Sequence, residues 1–233
     1  MLVKNLSKSY RSADGKTTPV FDNFSFDFES GKTTVVMGGS GIGKTTLLNC
    51  IAGLTDYDGE ISDVGAVAYV FQDDRLLPHK TVYGNVEFIL SGYGEAEKSK
   101  IVKTALEVTE LTGVADKFPD ELSGGQKKRV SLAIAFASGR QTLLFDEPLS
   151  SLDLGLKYRI YDVLKRVTAG KTTVLVTHDA DEALTLANEI AVIGKSGVIY
   201  RKKLKFSVVG RDIADDECNA VRKELINVFK NIS

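Results

Sequence analysis

Two rhythms alternate along this chain. Apolar runs at 33–37, 66–71, 142–145 and 172–176 each begin shortly after a glycine and end in polar residues. Uninterrupted runs of that length predict strands buried on both faces of a parallel sheet. Between them the period changes. Leu47, Leu48, Ile51 and Ala52 fall at helical spacing, as do Leu156, Ile160, Val163, Leu164 and Val167. Residues 20–28 alternate (Val-Phe-Asp-Asn-Phe-Ser-Phe-Asp-Phe) and predict an antiparallel strand with one packed face. From about 74 to 138 no strand is evident, and Ile101, Ala105, Val108 and Thr112 predict one helical face. In the tail, Val221, Leu225, Val228 and Phe229 predict an amphipathic helix that packs on its own domain. The expectation is one α/β domain. Its core spans about 1–73 and 139–205, with a mainly parallel sheet and an antiparallel β part; a helical lobe is inserted at about 74–138, and a tail covers about 206–233.

The first polar tip is Gly38-Gly39-Ser40-Gly41-Ile42-Gly43-Lys44-Thr45, followed by Thr46. It fits the P-loop pattern G-x-x-x-x-G-K-[ST] and joins a predicted strand to a predicted helix, the context that pattern requires. Glycines let the backbone turn its N–H groups inward. Those amides and the helix dipole favour phosphate. Lys44 supplies a point charge for the β- and γ-phosphates, and the Thr45 hydroxyl suits Mg²⁺, which takes few protein ligands. The fold expectation sharpens to a P-loop NTPase.

Thr142-Leu143-Leu144-Phe145-Asp146-Glu147-Pro148 is an apolar strand ending in two carboxylates. In such sheets ligands sit beyond the carboxyl ends of the strands, so both acids point toward the glycine loop. Asp146 is placed to hold Mg²⁺ through water, and Glu147 to orient and deprotonate an attacking water. Thr172 to Asp179 repeats the pattern and puts His178 at a strand end, within reach of the γ-phosphate and Glu147.

The order and spacing of these segments resemble the ATP-binding subunits of ABC transporters over about residues 2–205. Gly38 to Thr45 looks like their Walker A motif and Leu143 to Glu147 like Walker B. Leu122-Ser123-Gly124-Gly125-Gln126 looks like their signature motif, Gln72 like the Q-loop glutamine and a further Mg²⁺ ligand, and His178 like the switch histidine. Ser150-Ser151-Leu152-Asp153 matches the D-loop, and Tyr10 the aromatic that stacks on adenine. The resemblance implies that the signature residues grip ATP held by a second, head-to-tail ATPase subunit, so two copies trap two MgATP. It further implies integral membrane permease subunits as partners and, indirectly, a solute-binding protein, which places the chain on the cytoplasmic side of the membrane. The stretch 71–82 is similar to importers of nitrate, sulfonate, taurine and related solutes. Three positions depart from these patterns: His79 where those importers have tryptophan, Gly39 where proline is usual, and Ile134 where arginine is common. His79 is expected to face solvent.

Composition narrows the alternatives. Thirty basic and 31 acidic residues give a net charge of −1, so no global field draws the chain to nucleic acid. The basic clusters Lys127-Lys128-Arg129 and Arg201-Lys202-Lys203 read as solvated faces. Cys50 and Cys218 have no metal-ligand spacing and fit a reducing compartment. No apolar run approaches the ~18 residues of a spanning helix, and no leader pattern is evident. A soluble ABC ATPase that remodels a macromolecule is the alternative, but such proteins usually fuse two cassettes or add zinc modules, and this chain has one P-loop. An exporter ATPase carries the same motifs; only the 71–82 resemblance favours import of a small solute.

Overall fold

Alternation in the first 28 residues builds an antiparallel sheet, and the later apolar runs build a parallel one. The computed structural model describes residues 1–150, 152–194, 197–205, 208 and 212–232. The order is β1 (Leu2–Arg11), β2 (Thr17–Asp27), β3 (Thr33–Met37), α1 (Lys44–Ile51), β4 (Asp58–Ser62) and β5 (Val67–Val70). Next come α2 (Val82–Phe88), α3 (Glu95–Val108), two short 3₁₀ turns (Thr112–Val114 and Pro119–Glu121) and α4 (Gly124–Ala137). Then β6 (Thr142–Asp146), α5 (Leu154–Thr168), β7 (Thr172–Val176), α6 (Ala180–Leu186), β8 (Glu189–Gly194), β9 (Gly197–Lys203) and α7 (Asp216–Ile232) complete the chain.

Strands pair as β2-β1-β4 in the antiparallel sheet and as β5-β6-β7-β3-β8-β9 in the larger one, where only β9 runs antiparallel. On β2 the alternation skips one residue. Asn23 takes φ 53°, a register shift accompanies it, and Phe21 and Phe24 both point inward beside Phe26. The parallel strands are buried on both faces. Val35, Met37, Leu143 and Phe145 join the core under α5, α6 and α7, while Val36 and Leu144 join the core under α1 and the antiparallel sheet. That split is the period of two expressed in a sheet with two covered faces. A third core, around Val86, Val102, Leu106, Leu122, Val130 and Ala133, belongs to the helical lobe.

Three expectations are corrected. The helix α3 ends at Val108, because Glu110 adopts φ 56° and turns the chain; Thr112 starts a separate 3₁₀ turn, and Val108 is exposed. Its buried residues are Val102, Ala105 and Leu106. The residues after the signature predict one inward helical face, Val130, Ala133, Ile134 and Ala137, but α4 has two: Val130, Ala133 and Ala137 face the lobe, while Leu132 and Ala135 face the sheet. The third correction concerns one basic cluster, Lys127-Lys128-Arg129, and is treated with the site. In the other, Arg201 and Lys203 on β9 are exposed, as expected of a solvated face. Each of its three residues holds a carboxylate: Arg201 that of Glu189 at 2.6 Å, Lys202 that of Glu224 at 3.1 Å and Lys203 that of Glu29 at 2.7 Å. On α7, Val221 and Leu225 are buried and Val228 and Phe229 pack against the same core, as the tail pattern predicts. His79 is exposed, and Cys50 and Cys218 are both buried thiols. Among the described residues no helix is long and apolar enough to cross a membrane.

Candidate nucleotide site

The central strand β3 delivers the glycine loop to the top of the sheet. A Cβ at Gly43 would lie 2.4 Å from Val20 Cγ1, and one at Gly38 would lie 2.7 Å from the Ile193 carbonyl, so the loop packs closely on both sides only with bare backbone. Lys44 opens α1, and its Nζ donates to the carbonyls of Gly38 (2.9 Å) and Gly39 (2.8 Å). Burial pulls the Lys44 ammonium below the usual lysine range, against the opposing pull of Glu147 and Asp146.

Two strands over, β6 ends in Asp146, which is buried. Burial raises its carboxyl above the usual range; a hydrogen bond from Thr45 and the charges of Lys44 and Lys128 oppose this, and Glu147 adds to it. Glu147 comes next, in the left-handed region at φ 48°, where a side chain is rarely placed without a constraint. Its N–H donates to the Val176 carbonyl at 3.0 Å, which ties the turn to the end of β7. The turn aims Glu147 Oε1 at His178 Nδ1, 3.2 Å away. His178 itself is held between two anchored neighbours. The Thr177 hydroxyl donates to Glu182 Oε2 at 2.8 Å, Asp179 caps α6, and Lys157 of α5 lies 3.4 Å from Asp179 Oδ2.

These groups surround one cleft of about 510 Å³, lined by Tyr10, Val20, Gly38, Ser40, Gly41, Gly43, Lys44, Thr45, Thr46, Gln72, Asp146, Glu147 and His178. Segments distant in sequence thus converge as the motif reading predicts. Tyr10 OH sits 3.5 Å from Thr46 Oγ1 on an exposed wall. Gly39 and Ile42 belong to the loop but do not line the cleft. The donors at its base are a threonine hydroxyl and one buried carboxylate, an all-oxygen set that fits Mg²⁺ sharing its coordination with phosphates and water. Among the described residues no cluster of three or more His, Cys, Asp or Glu gathers for a metal.

The signature pentapeptide stands apart from this cleft. Leu122 is buried in the lobe, and Ser123 and Gln126 form a reciprocal cap on α4: Gln126 N–H donates to Ser123 Oγ (3.3 Å), and Ser123 N–H to Gln126 Oε1 (2.9 Å). Ser123 and Gly124 face outward. Asp153 also sits away from the cleft; its Oδ1 accepts from Leu156 N–H at 3.0 Å and caps α5. Ser151 of the same segment lies outside the described residues.

Sequence reasoning missed two parts of the site. Val20 walls the cleft, and nothing in its strand distinguishes it. Lys128 is no solvated lysine: it is buried, and its Nζ donates to the carbonyls of Phe71 (2.9 Å) and Gln72 (2.6 Å) and lies 3.6 Å from Asp74. A signal existed, since Lys128, Leu132 and Ala135 share a helical face.

A family model described as ABC transporter matches residues 21–150. The chain is 35% identical over 221 residues to the Fe(3+) ions import ATP-binding protein FbpC 1 of Haemophilus influenzae, covering 88% of this chain and 66% of that protein. It is 40% identical over 213 residues to the spermidine/putrescine import ATP-binding protein PotA of Pseudomonas fluorescens, covering 84% of this chain and 59% of that one. The chain thus spans less than two thirds of the length of these relatives. Neither is named for nitrate, sulfonate or taurine, so the finer resemblance at 71–82 finds no echo in them. Among solved structures, the ATP-binding cassette MJ0796, described as a dimer in a post-hydrolysis state bound to ADP and Pi, superposes with a TM-score of 0.80 at 28% identity, covering 88% of this chain and 99% of that one.

Proposed function

The chain belongs to the ABC transporter family, and from that premise we propose that it is an ATP-hydrolysing subunit of an importer of a small solute, working as a pair of cassettes around two MgATP. The observation that carries this is the meeting of Glu147 and His178 at 3.2 Å in the cleft that Lys44 and Asp146 also line. In this reading the loop amides of 38–45 cradle the β- and γ-phosphates and Lys44 places its charge between them. Thr45 and Asp146, with Gln72, would hold Mg²⁺, which would supply positive charge to offset that of the phosphates. Glu147 takes the proton of the attacking water, and His178 holds Glu147 and the γ-phosphate in register. Tyr10 stacks on the base.

The outward-facing Ser123 and Gly124, with Gly125 beside them, support a shared site, because they open a helix N-terminus and have no phosphate of their own to bind. Asp153 belongs to the segment that resembles the D-loop, where it caps α5. The MJ0796 dimer supports the pairing, and the import ATP-binding relatives support transport as the task. Permease subunits would anchor the chain at the cytoplasmic face of a membrane. The exposed apolar residues at and just beyond the end of α2 (Phe88, Ile89 and Tyr93) offer them a surface on the helical lobe. The relatives' solutes are iron and polyamines; the ATPase does not contact the solute, so its identity rests with the permease.

The test is Glu147→Gln. Steady-state turnover should fall by about 10²-fold or more, while nucleotide binding and MgATP-dependent dimerisation persist. A near-normal rate sinks the base assignment. The same variant, used as bait with MgATP in solubilised source membranes, should retain a multi-span protein; recovery of soluble proteins or nucleic acid alone would overturn the transporter reading.

A further inference from the structure

Lys128 lies on the signature helix, yet its ammonium ends beneath the nucleotide cleft. It is among the largest fully buried side chains of the protein, with 1% of its surface exposed. Burying a lysine is costly unless the charge is met, and here it is met by two backbone carbonyls and one carboxylate. The carbonyls are those of Phe71 and Gln72, and the carboxylate is Asp74. The segment they belong to is fixed from its other side as well. The Phe71 ring stacks on Tyr69 at 4.0 Å and under the Arg75 guanidinium at 3.7 Å, and Ser131, one turn on from Lys128, donates to Asp74 at 3.3 Å. The charge of Lys128 also reaches Asp146 at the floor of the cleft.

We propose that Lys128 is a positioning residue that locks the Gln72 segment to the signature helix, so that the group facing one nucleotide and the group offered to the partner's nucleotide move as one body. The inference rests on the ATPase reading above. The physical reason is geometric. The segment 71–74 has left the β5 strand, so the ladder no longer fixes its carbonyls, and a single buried cation binding two consecutive ones holds the backbone at one height against α4. Packing alone does not do this, because a side chain without donors leaves both carbonyls unmatched and Asp74 with the Ser131 hydroxyl alone.

The experiment compares Lys128→Met, which keeps length and apolar bulk, with Lys128→Gln, which keeps donors without charge. Measured are kcat and KM for MgATP, binding of a fluorescent ATP analogue to the monomer, and the urea midpoint. Expected is a fall in kcat of about tenfold or more for Lys128→Met, with analogue binding within about threefold of wild type, and substantial recovery of kcat in Lys128→Gln. Equal kcat for Met and wild type, or equal losses for Met and Gln, overturns the proposal. Absence of hydrolysis in the wild type would instead overturn the ATPase reading. Should Lys128→Met fail to fold, hydrogen exchange on Glu147→Gln with and without MgATP decides: amides of 71–74 and 123–126 gaining protection together support the lock, and protection of one segment alone overturns it.

Discussion

Replacing Gly43 by alanine asks how far the phosphate loop depends on bare backbone. Gly43 sits at φ 108° and ψ 13°, and an alanine held there costs about 1–3 kcal/mol in conformation alone. Its Cβ would lie 2.4 Å from Val20 Cγ1 and 3.0 Å from Phe21 Cζ. Phe21 is buried and packed against Phe24 at 5.1 Å, so its ring has little room to retreat, while half-buried Val20 can yield only toward the cleft it lines. Overpacking of that kind adds about 1–3 kcal/mol, for a total near 2–6 kcal/mol. The control is Gly41→Ala, where φ is 72° but the space around a Cβ is open, so only a backbone cost of about 1–2 kcal/mol remains. Equilibrium urea unfolding reads the difference. The two costs differ by about 1–4 kcal/mol, so at a slope of about 2–3 kcal/mol/M the midpoints should separate by roughly 0.3–2 M. Coincident midpoints would refute the steric argument and leave conformation as the whole effect.

Ser123→Arg should abolish hydrolysis while leaving ATP binding to the monomer intact, as checked by steady-state turnover beside binding of a fluorescent analogue; loss of monomer binding counts against a shared site. Glu182 gives a pH signature. Burial pushes its carboxyl from 4.5 up to about 7, so the folded state holds a proton that the unfolded state has released between those values. Stability from this group is therefore fully present below pH 4.5 and lost as pH rises to about 7, by at most about 3 kcal/mol. Denaturation series from pH 4.5 to 7.5 should show this slope flattened in Glu182→Gln, and identical slopes in both proteins would reject it.

The meeting of the motif residues in one cleft was legible because it rests on residue types that few other arrangements need. Glycines before Lys44, two acids at the end of β6 and a histidine after β7 announce their places through strand ends alone. The C-terminal stripe at Val221 and Leu225 was legible for a similar reason, since its period is unbroken. Lys128 was not, because three consecutive basic residues look like one solvated face although helical geometry sends them in three directions. What makes the middle one special is a backbone segment more than fifty residues earlier, which no local pattern reveals. The end of α3 was misread because its stripe continues in sequence through Glu110, whose left-handed turn breaks the helix. Ser123 with Gln126 three residues on, and Asp153 just before the stripe of α5, also spell helix caps, a signal that the functional reading of the same residues passed over.

The two outer strands of the large sheet bear on how copies of this protein meet in solution. Every open sheet ends in strands with unspent backbone donors and acceptors, an invitation to cross-β growth. Here one border is β5, only four residues long, too brief a template to recruit another strand. The other is β9, whose last three residues are Arg201, Lys202 and Lys203, each already tethered to a carboxylate of β8, α7 or the turn after β2. A newcomer strand would have to displace those ties and seat itself against a row of cations. Self-association by backbone zippering is thereby discouraged at both borders, and crowded copies are left to recognise one another through side chains on their faces, where contacts can open and close.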